Sequence, residues 1–219
     1  MFSRRLRTGV RVVGLAATAF ILSVSLAAAS DRCARAPLPR AASQIVPTAR
    51  FDQHLFSQAI LVEVNYYRCR AGLAPVRLAG GLIEVASRHA DWMARTRRLS
   101  HTSTLSGLAT VRARVLASGL PVRRGSENIG YLPRFQFDGN RRIRVRDRAH
   151  CVFTTTRGRR IEPHTYASLA ADIVDKWMRS AGHRRNLLDA HVNAVGAALG
   201  YDNRGTTCGQ FYMAQNFAG

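Results

Sequence analysis

The sequence predicts an α+β fold, with several helices packed on a small antiparallel sheet. Three observations predict it. Apolar residues recur at three- and four-residue steps in several runs between Phe51 and Ser180. The period then changes to alternation after Val192. The two alternating runs are separated by the turn-forming Asp202-Asn203-Arg204-Gly205. Helices followed by antiparallel strands indicate segregated layers rather than a parallel doubly wound sheet.

In the first helix Phe56, Ile60, Leu61, Val64 and Tyr67 form the stripe, and Gly72 stops the run. A second helix fits Leu82 to about Arg97. Its inner face is Leu82, Val85, Ala86, His89 and Met93, with Arg88, Asp91 and Arg95 outward. A shorter third helix fits Ala109 to Ser118, ended by Gly119. A fourth fits Ser168 to Ser180, with Leu169, Ile173, Val174, Trp177 and Met178 apolar. Between the third and fourth, residues 121–165 are rich in Arg, Gly, Asp and Thr. They predict loops plus one hairpin, with Asp138-Gly139-Asn140 turning between 135–137 and 143–145. The C-terminal strands are placed over 192–199 and 210–217.

The chain has 219 residues, long enough for one domain of ordinary size. Hydrophobic residues are 47% and charged residues 21%, values of a folded protein rather than a disordered one. Against 13 acids stand 33 bases, all arginine except Lys176, for a formal charge of +20. Residues 1–29 have the layout of a secretory signal peptide: a basic head with Arg4, Arg5, Arg7 and Arg11, an apolar stretch from Val12 to Ala28, and small residues at Ala27 and Ala29. Its removal takes four arginines from the +20 and leaves +16. No later apolar run is long enough to span a bilayer, so the mature chain is expected to be secreted, either extracellular or periplasmic. Residues 30–50, with Pro37, Pro39 and Pro47, predict a linker or N-terminal arm. In an oxidising compartment Cys33, Cys69, Cys151 and Cys208 are expected to form two disulfides. Sequence alone does not choose among the three pairings; Cys33–Cys69 with Cys151–Cys208 is the working guess.

Several short motifs then occur in a telling order. Asn65, Arg68, Gly72 and Leu73 come first. Ala90 and Met93 lead to Leu99-Ser100-His101. Arg114 and Gly119 follow, then Glu127-Asn128-Ile129. Trp177-Met178, Ser180, Gly182-His183-Arg184 and Asn186 form one cluster, and Gln215, Phe217 and Ala218 close the series. In these residues the chain resembles the CAP superfamily (cysteine-rich secretory, antigen 5 and pathogenesis-related-1 domain), most closely its bacterial secreted branch. The resemblance covers Asn65 to Ala218 and places the CAP domain at 51–219. It implies an α-β-α sandwich with a three- or four-stranded antiparallel sheet between helices. It also implies a polar cleft holding His101, Glu127 and His183, with Asn128, Ser180, Arg184 and Asn186 in support. Eukaryotic members carry a second glutamate, and that position here is Ser180.

Two histidines and a carboxylate suit a divalent ion, Zn above all, with His101 and His183 as the candidate ligands. The competing reading is that these side chains hold loops together by hydrogen bonds. The resulting function is a binding or interaction module at the cell envelope or outside the cell, with a lipid, sterol or protein ligand. The alternative is a metal-dependent hydrolase using Glu127 as general base. A serine nucleophile is disfavoured, since no G-x-S-x-G elbow exists. His89 is read as a satisfied core residue, and His54, His150, His164 and His191 as surface or turn residues. The charge also raises a cationic binder of anionic envelope polymers or lipids, centred on Arg141, Arg142, Arg144, Arg146 and Arg148. Specific nucleic acid recognition is not expected, because no basic motif interleaved with aromatics is present.

Overall fold

The computed structural model describes residues 33–137 and 142–219, and Ala34–Gly219 form one unit. The expected signal segment and the Asp138-Gly139-Asn140 turn lie outside the described residues. In chain order the elements are α1 (Gln53–Arg70), β1 (Arg77–Leu78), α2 (Gly80–Thr96), α3 (Val111–Leu116), β2 (Gly125–Pro133), β3 (Ile143–Asp147), β4 (Val152–Thr155), α4 (Tyr166–Arg179), α5 (Ala181–Leu187), β5 (Ala194–Asp202) and β6 (Gln210–Ala218). Helix starts follow local chemistry. The Asp52 carboxylate accepts from the Leu55 amide and caps α1. Thr165 and Ser168 form a reciprocal capping box on α4. Gly72, at φ 71°, takes the left-handed conformation just after α1.

The main sheet has the order β1-β5-β6-β2. β6 lies between β5 and β2 and is antiparallel to both, while the two-residue β1 runs parallel to β5. The sheet is therefore mixed at one edge, where an all-antiparallel sheet was expected. Both faces are covered, which gives the three layers of an α-β-α sandwich. Along β6, Phe211, Met213 and Phe217 enter the core shared with α1 and α4, while Tyr212 and Ala214 meet α2. This is the two-residue period of a strand buried on both sides.

Helix α2 sits unusually close to β5. Its side of the strand carries Gly196, Ala198 and Gly200. A Cβ added at Gly196 would lie 2.4 Å from the Ile83 amide nitrogen, and one at Gly200 2.6 Å from the Ala90 carbonyl oxygen. Small residues in the strand let helix backbone and strand backbone approach without intervening side chains. The predicted inner stripe of α2 is buried throughout, His89 included.

Four readings of the sequence are changed or refined. Residues 125–133, expected as loop, form a nine-residue strand paired with β6 along its whole length. Its buried run begins with Glu127 and Asn128, so it carries no apolar alternation to read. The predicted strand at 143–145 exists, but its partner is β4, not 135–137. Phe135 instead bridges to Pro163, and it packs with Phe153 and Ile161 in a small separate core. The segment expected as a linker or arm is docked. Ala42 and Val46 are buried, and the Val46 amide donates to the His164 carbonyl. His164, expected as a surface or turn residue, is buried as well.

Cys151, at the turn of the β3–β4 hairpin, is disulfide-bonded to Cys208 in the β5–β6 connection, as expected. Cys33 and Cys69 are each disulfide-bonded too. The Cys151–Cys208 crosslink spans 57 residues and is worth roughly 2–4 kcal/mol by restricting the unfolded chain.

Gly196→Ala should lower folding stability by about 1–3 kcal/mol, because a methyl group would have to part the α2 and β5 backbones. Urea unfolding measures this, and an unchanged midpoint would refute the close-packing account.

Candidate functional site

Glu127 lies on β2 opposite Asn216 of β6. Strand alternation turns Glu127 and Ile129 toward the α2 layer and Asn128 toward the α4–α5 layer. Residues from both layers meet this strand, but through different partners.

On the α2 side, Glu127 is fully enclosed. Arg114 of α3 grips it with both arms of its fork: Nε donates to Oε2 at 2.7 Å and Nη2 to Oε1 at 2.7 Å. His101 Nδ1 donates to Oε1 at 2.9 Å, and Asn216 Nδ2 donates to Oε2 at 3.0 Å. Arg114 uses its remaining donors on backbone, giving Nη1 to the Leu108 carbonyl at 2.8 Å and Nη2 to the His101 carbonyl at 2.7 Å. The Arg114 and Glu127 side chains are 0% exposed, whereas the His101 side chain is 50% exposed. The acid and arginine thus form a floor, with His101 standing on it.

His89 belongs to the same floor. Its Nε2 donates to the Ser100 carbonyl at 3.0 Å and lies 3.8 Å from Glu127 Oε1, and its ring stacks on Trp92. Because Nε2 carries the proton, Nδ1 is the lone-pair nitrogen, and it is buried without a hydrogen-bond partner. The satisfied core histidine expected from the sequence is therefore satisfied on one nitrogen only.

On the other side, the His183 carbonyl accepts from Asn128 Nδ2 at 3.3 Å. The same amide group donates to Gln215 Oε1, and Asn186 donates to both Asn128 Oδ1 and the Glu127 carbonyl. The His183 ring lies beside Trp177, with centroids 6.5 Å apart. Ser180 is the junction of α4 and α5, and Arg184 donates to the Met178 carbonyl. The structure joins His101 to Glu127 directly, and it ties His183 to the next residue of β2 through backbone. Among the described residues, no three His, Cys, Asp or Glu side chains gather closely enough to hold a metal ion.

The electrostatics follow. Burial works to raise the Glu127 pKa, but hydrogen bonds from His101 and Arg114 outweigh it and hold the carboxyl below its usual value. Burial, with smaller contributions from His101 and Lys176, lowers His183 below the usual imidazole value. Burial also pushes His89 down to about 4, against the pull of Glu127. A neutral His101 that donates from Nδ1 has Nε2 as its lone-pair nitrogen, so Glu127 selects the tautomer.

Arg114 and Asn216 are the site residues that sequence reasoning missed. Arg114 is part of a family motif, yet its residue type suggested no role. One signal was present: it falls three residues after Val111 and beside Val115, on the apolar stripe of a short helix. An arginine on a buried stripe needs a buried partner.

Glu127→Gln should cost about 3–5 kcal/mol, because it strands the Arg114 charge in the interior. The double variant Arg114→Met/Glu127→Gln should cost clearly less than the two single losses combined. Chemical denaturation gives this cycle, and simple additivity would argue against a coupled pair. Stability should also fall as pH drops from about 6.5 toward 4. An unfolded histidine protonates near 6.5, whereas His89 and His164 stay neutral in the fold to about 4, so protons favour unfolding in that window. His164→Asn should flatten the decline by up to roughly 3 kcal/mol, read from melts across that range.

Comparison with known proteins agrees with the fold. A family model described as the cysteine-rich secretory protein family, CAP, matches residues 61–217. Among curated proteins, none matches the chain in sequence. An extracellular protein containing an SCP domain from Bacillus anthracis has a similar structure, at 22% identity and a TM-score of 0.50. That likeness covers 76% of this chain and 41% of the Bacillus protein, so the chain spans well under half of it. An outer surface protein from Borrelia burgdorferi is also similar, at 12% identity and a TM-score of 0.51, covering 78% of this chain and 98% of that one. With the motif order, the sandwich and the family match all on 61–217, the chain belongs to the CAP family of cysteine-rich secretory proteins.

Proposed function

We propose that this chain is an exported binding module whose cleft is floored by Arg114 and Glu127 and rimmed by His101 and His183. Residues 1–29 direct export, and the mature protein works at the cell envelope or outside the cell. The family, the cysteine chemistry and the two fold neighbours, named as extracellular and outer surface proteins, support that placement. Among the described residues no helix is long and apolar enough to cross a membrane.

The observation that carries a binding role over hydrolysis is the saturation of Glu127. Both oxygens accept charge-assisted or amide hydrogen bonds from Arg114, His101 and Asn216, and the side chain is fully enclosed. A general base needs a free lone pair within reach of a water. A zinc ligand needs a lone pair that does not already face a guanidinium. Glu127 offers neither, so the zinc reading does not fit a site completed by this residue. What the cleft offers is polar recognition: the His101 imidazole held by Glu127 and the His183 imidazole beside Trp177, suited to the hydrogen-bonding groups of a lipid, sterol or protein ligand.

Two measurements test this. Elemental analysis of protein purified without a histidine tag should find far less than one zinc per chain. One tightly held zinc, lost in His183→Ala together with a hydrolytic activity, would overturn the reading. Retention on isolated cell-envelope material should be lost in His101→Ala/His183→Ala, measured at a temperature where melting curves show that variant still folded. Unchanged retention by that folded variant would place the function elsewhere.

A further inference from the structure

The β3–β4 hairpin and the return after it carry a run of arginines, most of them without a carboxylate partner among the described residues. Its inner side is apolar: Phe153 is 0% exposed and packs against Phe135 and Phe137. Its outer side is cationic. Arg144 pairs with Thr154 in the register, and Arg146 donates to the Thr154 hydroxyl, so both stand on that face. After β4 the chain turns at Gly158 and folds back, with the Thr155 amide donating to the Arg159 carbonyl and a bridge between Thr154 and Arg160. This return brings Arg157 and Arg159 alongside Arg142. Together with Thr155 and Thr156 they line an open groove of about 730 Å³. A second hollow of about 170 Å³ shares Arg142, Thr155 and Arg159 and extends it, its far wall carrying Arg160 with its partner Glu162.

The local acids are already used. Asp147 pairs with His150 at 2.7 Å, and Glu162 faces Arg160 at 3.6 Å. Among the described residues, Arg142, Arg144, Arg157 and Arg159 have no carboxylate partner. Self-repulsion of this kind is maintained at a cost to stability, and an anionic ligand relieves it. Guanidinium forks and threonine hydroxyls together match tetrahedral oxyanions. The groove is larger than one phosphate ion needs, and it is elongated by the adjoining hollow, which favours a chain of anions over a single one. The hairpin's aromatic rings are turned inward, so the groove has no platform on which nucleic acid bases stack.

We infer that this groove binds a linear phosphate-bearing polymer, reading its repeated phosphates through Arg142, Arg157 and Arg159. The site is separate from the cleft and independent of the reading given to it. The Cys151–Cys208 disulfide ties the turn of the hairpin to the β5–β6 connection, so the groove is presented on an anchored ribbon.

Titration of the full mature chain with long-chain inorganic polyphosphate, at several salt concentrations, tests this. Arg142→Ala/Arg157→Ala/Arg159→Ala should weaken binding about tenfold or more and flatten the log–log salt slope by about 2, at roughly 0.7 per lost contact. Arg40→Ala/Arg50→Ala/Arg88→Ala removes the same charge from other exposed positions and should leave affinity near wild type. Melting curves establish that both variants fold, and Arg157→Glu alone should weaken binding in the same titration. Equal losses in the two triple variants would reduce the effect to net charge and overturn the proposal. So would binding to phosphatidylglycerol vesicles without binding to polyphosphate, which assigns the face to a membrane. Tighter binding of an RNA homopolymer of equal phosphate count would overturn it by revealing base contacts.

Discussion

The buried ion pair between Arg114 and Glu127 is the constraint on which the α2 side of the sheet depends. A carboxylate wholly withdrawn from water is stable only with a partner charge and filled lone pairs. Arg114 supplies the charge in bidentate geometry, and His101 and Asn216 complete the acceptor sites. The consequences spread outward. Arg114 also holds the carbonyls of His101 and Leu108, so the loop after α2 is fixed by the same guanidinium. The orientation and tautomer of His101 then follow from where Glu127 sits. The network leaves Glu127 without a free lone pair and holds the loop after α2 in one arrangement.

That ion pair needs a frame that keeps β2, α2 and α3 in register. The frame comes from the approach of α2 to β5 over Gly196, Ala198 and Gly200, and from the long pairing of β2 with β6. On the opposite face Trp177 donates to the Ile129 carbonyl, pinning α4 to the edge strand. Arg68 does comparable work at the end of α1. Its buried guanidinium donates to the carbonyls of Ala74, Leu187, Asp189 and Val192, which closes the loop leading into β5. Two of the motif arginines, Arg68 and Arg114, are therefore interior devices, unlike the many arginines on the surface.

The β3–β4 hairpin follows a different logic. It has its own small aromatic core, pairs with itself and not with the main sheet, and is tied back through Cys151–Cys208. Arginines there are exposed and largely without carboxylate partners, whereas Arg68 and Arg114 are buried and hydrogen-bonded within the fold. The same residue type thus serves two purposes, and burial separates them. A guanidinium inside must be satisfied by the fold, while one outside can wait for a ligand.

Much of the architecture was legible in the sequence because it is local. The four main helices, the stripe of α2 and the last two strands follow from periodicity, caps and stops, which depend on neighbours in the chain. The motif order indicated His101, Glu127 and His183, and the family match over 61–217 bears out the family they suggested. Three things depended on tertiary structure. The strand β2 begins its buried run with an acid and an amide, a pattern that only the partner strand β6 and the Arg114 guanidinium make tolerable. The hairpin found its partner in β4 through the Phe153 core, where turn signals alone pointed to 135–137. The role of Arg114 could not be read from its own segment, because the group that neutralises it lies on another element. Periodicity reports which face of a segment is buried, but the neutralising partner of a buried charge is set by the packing of distant segments.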